Sequence, residues 1–201
     1  IYKFIGDDIL TVRRVQALFG AISCVLIMKA AGNLFGKRSG MLAGLILAFY
    51  APSIFLESLI QKSILDLFFL SLLLFLFTQS LRSRNPSYWL GVGIATGALC
   101  LTRENALVLI PILGCWIVLG NSKRIGLQSR TFTQILPVNR FVWMAAMGMG
   151  LCLTLGPVVL RNYTIGGHLH LTTSQLGPNF FIGNNANANG TYQPLVPGRG
   201  D

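Results

Sequence analysis

Residues 62–81 read KSILDLFFLSLLLFLFTQSL, a run of 20 residues whose only charges, Lys62 and Asp66, fall in its first five positions. Drawn as a helix, it is apolar all round and has no polar stripe, so no face is suited to water. About 20 such residues cross the roughly 30 Å of a bilayer's hydrocarbon core. A helix also satisfies its own backbone N–H and C=O groups where no water can. The run therefore predicts a transmembrane helix.

Five further apolar blocks lie at about 12–32, 39–56, 87–102, 104–120 and 140–160. Several are short for a straight crossing, which tilt or partial re-entry would accommodate. Composition agrees with the blocks. Hydrophobic residues make up 53% of the chain and charged ones 11%, with a mean hydropathy of +0.62, whereas soluble domains carry charge on about a quarter of their residues. The expected fold is an all-α integral membrane protein: residues 1–160 form a multi-spanning helical bundle of about six transmembrane helices. Residues 161–201, rich in Gly, Asn, Thr and Pro, begin an extracytoplasmic loop or domain with strand-like stretches at 168–173 and 179–182.

Sixteen Lys and Arg against six Asp and Glu give a formal charge of +10. The cations gather in alternate connections, with Lys29, Lys37 and Arg38 at the first, Arg82 and Arg84 at the third, and Lys123, Arg124, Arg130 and Arg140 around the fifth. This is the signature of cytoplasmic loops, not of a nucleic-acid partner. The other connections hold Lys62 and Arg103 as cations, and all six acids, Asp7, Asp8, Glu57, Asp66, Glu104 and Asp201, fall in or near them. Both ends are thus expected outside, with Glu57, Lys62, Asp66, Arg103, Glu104 and Arg161 at one outer boundary.

Charge at that depth is expensive unless it pairs or faces a polar cavity. Mutual salt bridges or snorkelling would serve Glu57, Lys62, Arg103 and Glu104 structurally. Functionally, Lys62, Arg103 and Arg161 together would suit a lipid phosphate, whose oxygens ammonium and guanidinium groups neutralise in a partly dehydrated site. Asn179, Asn184 and Asn185, interleaved with glycines, suit turns or the hydrogen bonding of a hydroxyl-rich ligand. His168 and His170 would share one face of a strand and could hold a metal only if a carboxylate joined them. Asn162-Tyr163-Thr164 and Asn189-Gly190-Thr191 fit the glycosylation triplet, a pattern that arises often by chance. Gly93 and Gly97 form a GxxxG, and with Gly148 and Gly150 they predict close helix crossings. Cys24, Cys100, Cys115 and Cys152 each sit in an apolar block without metal-site spacing and read as packing residues. The chain opens at Ile1 in mid-pattern and stops after Pro197-Gly198-Arg199-Gly200, so both ends read as cut.

Leu160-Arg161-Asn162-Tyr163-Thr164-Ile165-Gly166-Gly167, followed by Asn179-Phe180-Phe181-Ile182-Gly183-Asn184-Asn185 and Gly190-Thr191-Tyr192, resembles a passage of the bacterial GT-C glycosyltransferases of the family 39 type. These are related to protein mannosyltransferases and to the aminoarabinose transferase of lipid A. Arg14-Val15-Gln16-Ala17-Leu18, Leu34-Phe35-Gly36-Lys37-Arg38-Ser39-Gly40 and Leu101-Thr102-Arg103-Glu104-Asn105-Ala106-Leu107 match more weakly, and Glu104 replaces the family's usual proline. Ser63 follows Lys62 where many relatives have an acid. The resemblance implies a bacterial inner-membrane enzyme that transfers a sugar from a polyprenyl-phosphate donor to a lipid, glycan or protein acceptor, with inversion. It also implies a catalytic aspartate located before Ile1. Glu57, Asp66 and Glu104 are the weaker candidates for a base within the chain. No cofactor is firmly implied, and a divalent cation is left open. The competing readings are a transporter or channel subunit, whose charges would line a pathway through the membrane, and a non-catalytic membrane fragment.

Overall fold

The computed structural model describes residues 9–59, 61–83, 85–119, 137–167, 169–172, 176–185 and 188, with residues 57, 137–138 and 176–179 described by their backbone alone. The described residues form helices joined by short turns, with no strand among them. Helix α1 (Ile9–Phe35) is 27 residues long, about 40 Å at 1.5 Å per residue. It stops at Gly36, whose φ of 94° few side chains tolerate, and the chain reverses at once into α2 (Lys37–Ala48). The two helices lie close because α2 presents no side chain at the crossing. A Cβ on Gly40 would come 2.8 Å from the Gly32 Cα, and one on Gly44 would come 2.9 Å from the Met28 Cβ.

Tyr50 is extended and Pro52 opens the short helix α3 (Ala51–Ser58). The expected span at 39–56 is therefore two helices with a break at residues 49–50. Its physical cause is the proline, which has no N–H to continue α2 and starts a new helix well. Helix α4 (Ser63–Arg82) follows, then α5 (Pro86–Thr102), whose first turn is held by the Asn85 side chain accepting from the Ser87 amide at 2.9 Å. A 3-10 turn (Glu104–Val108) leads into α6 (Leu109–Leu119), and α7 (Pro137–Gly166) and α8 (Leu176–Asn184) complete the described helices. Among the described residues, three helices are long and apolar enough to cross a membrane: Ile9–Phe35, Ser63–Arg82 and Asn139–Gly166. The segment Glu104–Leu119 is apolar but shorter, and α5 has 17 residues.

The contacts give the direction of each helix. Gln16 meets Leu59, Phe19 meets Phe68, Lys29 meets Phe75 and Asn33 meets Thr78, so α1 and α4 run parallel and α2 with α3 returns between them. Helices α5 and α7 also run parallel: Gly93 faces Met147 and Gly150, while Gly97 faces Thr154. At this second crossing a Cβ on Gly93 or Gly150 would overlap the opposite backbone, at Met147 O and Leu90 O respectively. Gly148, also expected at a crossing, faces open space.

Helix α5 is the centre of the bundle. Trp89, Val92, Ala95, Leu99 and Cys100 are buried there, and Trp89 stacks on Trp143 at 6.0 Å while Phe77 meets both Trp89 and Trp116 edge-on. Several buried hydroxyls turn back onto their own helices. Thr96 donates to Val92 O at 2.7 Å and Ser23 to Phe19 O at 2.7 Å, which satisfies a polar group that has no water to meet. Outward, by contrast, Phe35, Phe49, Leu119 and Phe141 are three-quarters or more exposed. Large apolar side chains point away from the core along most of the helices, as expected where the solvent is lipid. Cys100 packs in the core, but Cys115 and Cys152 are exposed on the apolar exterior.

Residues 1–155 and 156–201 form two compact units. In the second, α7 ends at Gly166, and Gly167, at φ 69°, donates its amide to Tyr163 O at 3.0 Å, a left-handed helix stop. Asn162 Nδ2 then donates to both His170 O, at 3.1 Å, and Thr172 O, at 2.8 Å. Residues 169–172 are thereby fixed to the helix as an irregular turn and not as the expected strand. The second strand-like stretch, 179–182, is helical and belongs to α8. A short apolar run of Phe180, Phe181 and Ile182 fits strand and helix alike, and the asparagines that follow settle it. Asn184 Nδ2 donates to Phe180 O at 2.9 Å and Asn185 Nδ2 to Phe181 O at 3.0 Å, capping the helix carbonyls.

Candidate functional site

The end of the bundle where α1 and α4 begin and α5 finishes carries a buried polar group of unusual composition. Asp66 stands in the first turn of α4, where the helix dipole favours a carboxylate. Arg103 is the first residue past α5. Its amide still donates to Leu99 O at 2.7 Å, but its backbone is extended, which turns the side chain away from the helix axis. Arg103 Nε reaches Asp66 Oδ2 at 2.5 Å.

The pair is asymmetric. The Asp66 side chain is 16% exposed and that of Arg103 56%. Asp66 Oδ1 is buried with no hydrogen-bond partner among the described residues, while the ion pair engages only Nε of the guanidinium. Arg103 is thus held by its inner nitrogen, and its terminal nitrogens stay outside the ion pair. A planar fork presented in this way suits an oxyanion ligand. On α1, Gln16 is buried, and its Nε2 donates to Leu59 O at 3.0 Å, which ties α1 to the turn before α4. Its Oε1, like Asp66 Oδ1, is buried without a partner among the described residues. Phe19 against Phe68, 4.8 Å between centroids, seals the next layer.

The remaining sequence candidates fall in both units. Lys62 occupies the position before α4 without a side-chain cap bond and is exposed. Glu104 opens the 3-10 turn next to Arg103 and is half-buried. Glu57 lies in α3, its side chain outside the described residues. Arg161 is an exposed residue of α7 in the second unit, its carbonyl accepting from Thr164 Oγ1 at 3.1 Å. Asn184 and Asn185 spend their amide N–H groups on α8, and Asn179 lies in that helix with its side chain outside the described residues. His168 is outside the described residues, and His170 offers its carbonyl to Asn162. The described residues contain no cluster of three His, Cys, Asp or Glu that could hold a metal.

Three features escape a reading by segments. Arg13 and Arg14 are exposed in the first turns of α1, next to Gln16, and so add cations to the Asp66 end. Two adjacent arginines just inside an apolar block were the available signal. Gln16 was visible only as part of a motif, and the role of Asn162 as a clamp on 169–172 leaves no trace in composition.

A family model described as dolichyl-phosphate-mannose-protein mannosyltransferase matches residues 1–152. The chain belongs to that family. It is accordingly an integral membrane protein of glycosyltransferase type. The mannosyltransferase match takes in Arg13, Gln16, Lys62, Asp66, Arg103 and Glu104, and it ends within α7, before Arg161 and the asparagine-rich segment. No curated protein and no solved structure matches the chain.

Proposed function

We propose that this mannosyltransferase-family chain transfers a glycosyl unit from a polyprenyl-phosphate donor to an acceptor on the extracytoplasmic face of a bacterial inner membrane. In this reading it crosses the bilayer about six times, with α2 and α3 acting as one broken crossing and α5 and α6 as short ones. Residues 161–201 then begin an extracytoplasmic segment whose asparagines meet sugar or acceptor, as a relative of the family 39 and lipid A aminoarabinose transferases would have. The observation that carries the proposal is the Arg103 guanidinium, anchored through Nε on a largely buried carboxylate while more than half of its side chain stays exposed, in a chain of this family.

The bond from the anomeric carbon to the phosphate oxygen breaks as the acceptor oxygen or nitrogen attacks from the opposite face, so configuration inverts. The acceptor's proton passes to a carboxylate, and polyprenyl phosphate leaves with the bonding electrons. Phosphate is a workable leaving group, so the protein's main task is to stabilise the charge on it. Arg103 does so, with Lys62 as a further cation. Asp66 is committed to Arg103 and acts as a positioning residue. For the carboxylate that takes the acceptor's proton, Glu57 and Glu104 are the candidates within the chain. A transporter would need its ionisable groups along the helices, whereas Asp66 and Arg103 sit at helix ends.

The test is transfer of labelled sugar from polyprenyl-phosphate donors by Arg103→Ala and Arg103→Lys variants in membranes. Loss of one oxyanion-stabilising group costs about 10²–10³ in turnover. Arg103→Ala should fall by that order, and Arg103→Lys should recover part of it. Unchanged turnover in Arg103→Ala would remove Arg103 from the phosphate site.

A further inference from the structure

At the end of the bundle opposite Asp66, cations are held in place by neutral groups. Arg82, in the last turn of α4, donates from Nη1 to Asn33 Oδ1 at 2.6 Å, and Asn33 Nδ2 donates in turn to Thr78 Oγ1 at 3.1 Å. Thr78 Oγ1 donates to Phe75 O at 2.8 Å, and Lys29 Nζ stands 5.9 Å from the centroid of the Phe75 ring. The Gly36 turn brings Lys37 and Arg38, both exposed, to this end in the first turn of α2.

The acids of the described residues, Glu57, Asp66 and Glu104, belong to the other end or to the helix leading to it. Four cations therefore share one helix end without a carboxylate among the described residues. An ordinary scatter of cytoplasmic lysines and arginines needs no such scaffold. Here a three-residue hydrogen-bond chain fixes the guanidinium and an aromatic face steadies the ammonium. Like charges gathered in this way repel one another, and ordering long side chains costs entropy. The arrangement is complementary to an anion of several oxygens at the depth where α1 and α4 leave the hydrocarbon.

We propose that Lys29, Arg82, Lys37 and Arg38, organised by Asn33, bind the phosphate of an anionic glycerophospholipid. The site clasps α1 to α4 at the end remote from the glycosyl-transfer site and is independent of it. The acyl chains would lie along the apolar exteriors of α1 and α2, where Leu34, Met41, Leu42 and Leu45 are exposed.

The test is native mass spectrometry of the full chain in neutral detergent, titrated separately with phosphatidylglycerol and phosphatidylcholine. Each basic residue near an anionic surface contributes roughly a factor of five in affinity, so removing two should cost about thirtyfold. Lys29→Gln with Arg82→Gln should weaken phosphatidylglycerol retention by that order, while the charge-matched Lys123→Gln with Arg124→Gln should not. Asn33→Ala, which changes no charge, should weaken it by a smaller factor of about three to five. Circular dichroism identifies any variant that fails to fold, and Lys29→Arg with Arg82→Lys, which keeps both charges, is expected to retain the lipid. Equal losses in both double glutamine variants would mean that net charge alone acts and would overturn the site. So would equal retention of phosphatidylcholine, or an Asn33→Ala variant indistinguishable from the parent.

Discussion

Truncating Arg103 should cost more than neutralising Asp66, and the two changes together should cost less than the first alone. Arg103→Ala leaves a carboxylate that is 16% exposed with neither oxygen paired, since Oδ1 already has no partner and Oδ2 loses the guanidinium. Breaking a fully buried ion pair costs about 3–5 kcal/mol, whereas an exposed pair is worth about 0–1 kcal/mol. The guanidinium is 56% exposed, which places this pair between the two limits, at about 1–3 kcal/mol. Asp66→Asn removes the charge but keeps an oxygen able to accept from Arg103 Nε, so about 1 kcal/mol or less should be lost. Arg103→Ala with Asp66→Asn no longer strands a buried charge and should regain about 1 kcal/mol or more over Arg103→Ala. The assay is unfolding of the full chain in mixed micelles, followed by circular dichroism as the denaturing detergent is raised. A double variant as unstable as the sum of the singles would refute the reasoning, because the two side chains would then act independently.

Packing and local structure offer further tests. Gly150→Ala forces a Cβ onto Leu90 O at the α5–α7 crossing. It should destabilise the bundle by about 1–3 kcal/mol in the same micelle assay, while Gly148→Ala, facing open space, should leave the midpoint unchanged or raise it slightly. Trp89→Ala opens the centre of the core and should cost about 3–5 kcal/mol, read as a lowered unfolding midpoint. Asn162→Ala removes both hydrogen bonds to residues 170 and 172, and hydrogen exchange should show lost protection in 169–172 with α4 and α5 unaffected.

The sequence-legible part of the fold is the part decided by long apolar runs. The block at 62–81 became α4 shifted by one residue, and that at 12–32 became α1 lengthened at both ends, because a uniformly apolar run has only one way to satisfy its backbone in lipid. The break at residues 49–50 was also available from Pro52, but hydropathy averages across a proline. At 179–182 three apolar residues carry no period and read as strand or helix alike, and the deciding caps from Asn184 and Asn185 come only with the helix in place. The candidate site divides along the same line. A shared boundary for Asp66 and Arg103 followed from the alternation of charge, but their contact joins residues 37 apart in sequence and depends on how α4 and α5 turn about their axes. The buried Gln16 amide and the clamp from Asn162 are likewise products of tertiary packing.

The most direct test of the account is transfer of labelled sugar from a panel of polyprenyl-phosphate donors by membranes carrying the protein, with polyprenyl-pyrophosphate-linked and nucleotide-linked sugars as alternatives. The account predicts label passing to an acceptor from a polyprenyl-phosphate donor, with release of polyprenyl phosphate and inversion at the anomeric carbon. Transfer from nucleotide sugars alone, or no transfer across the panel, would contradict it.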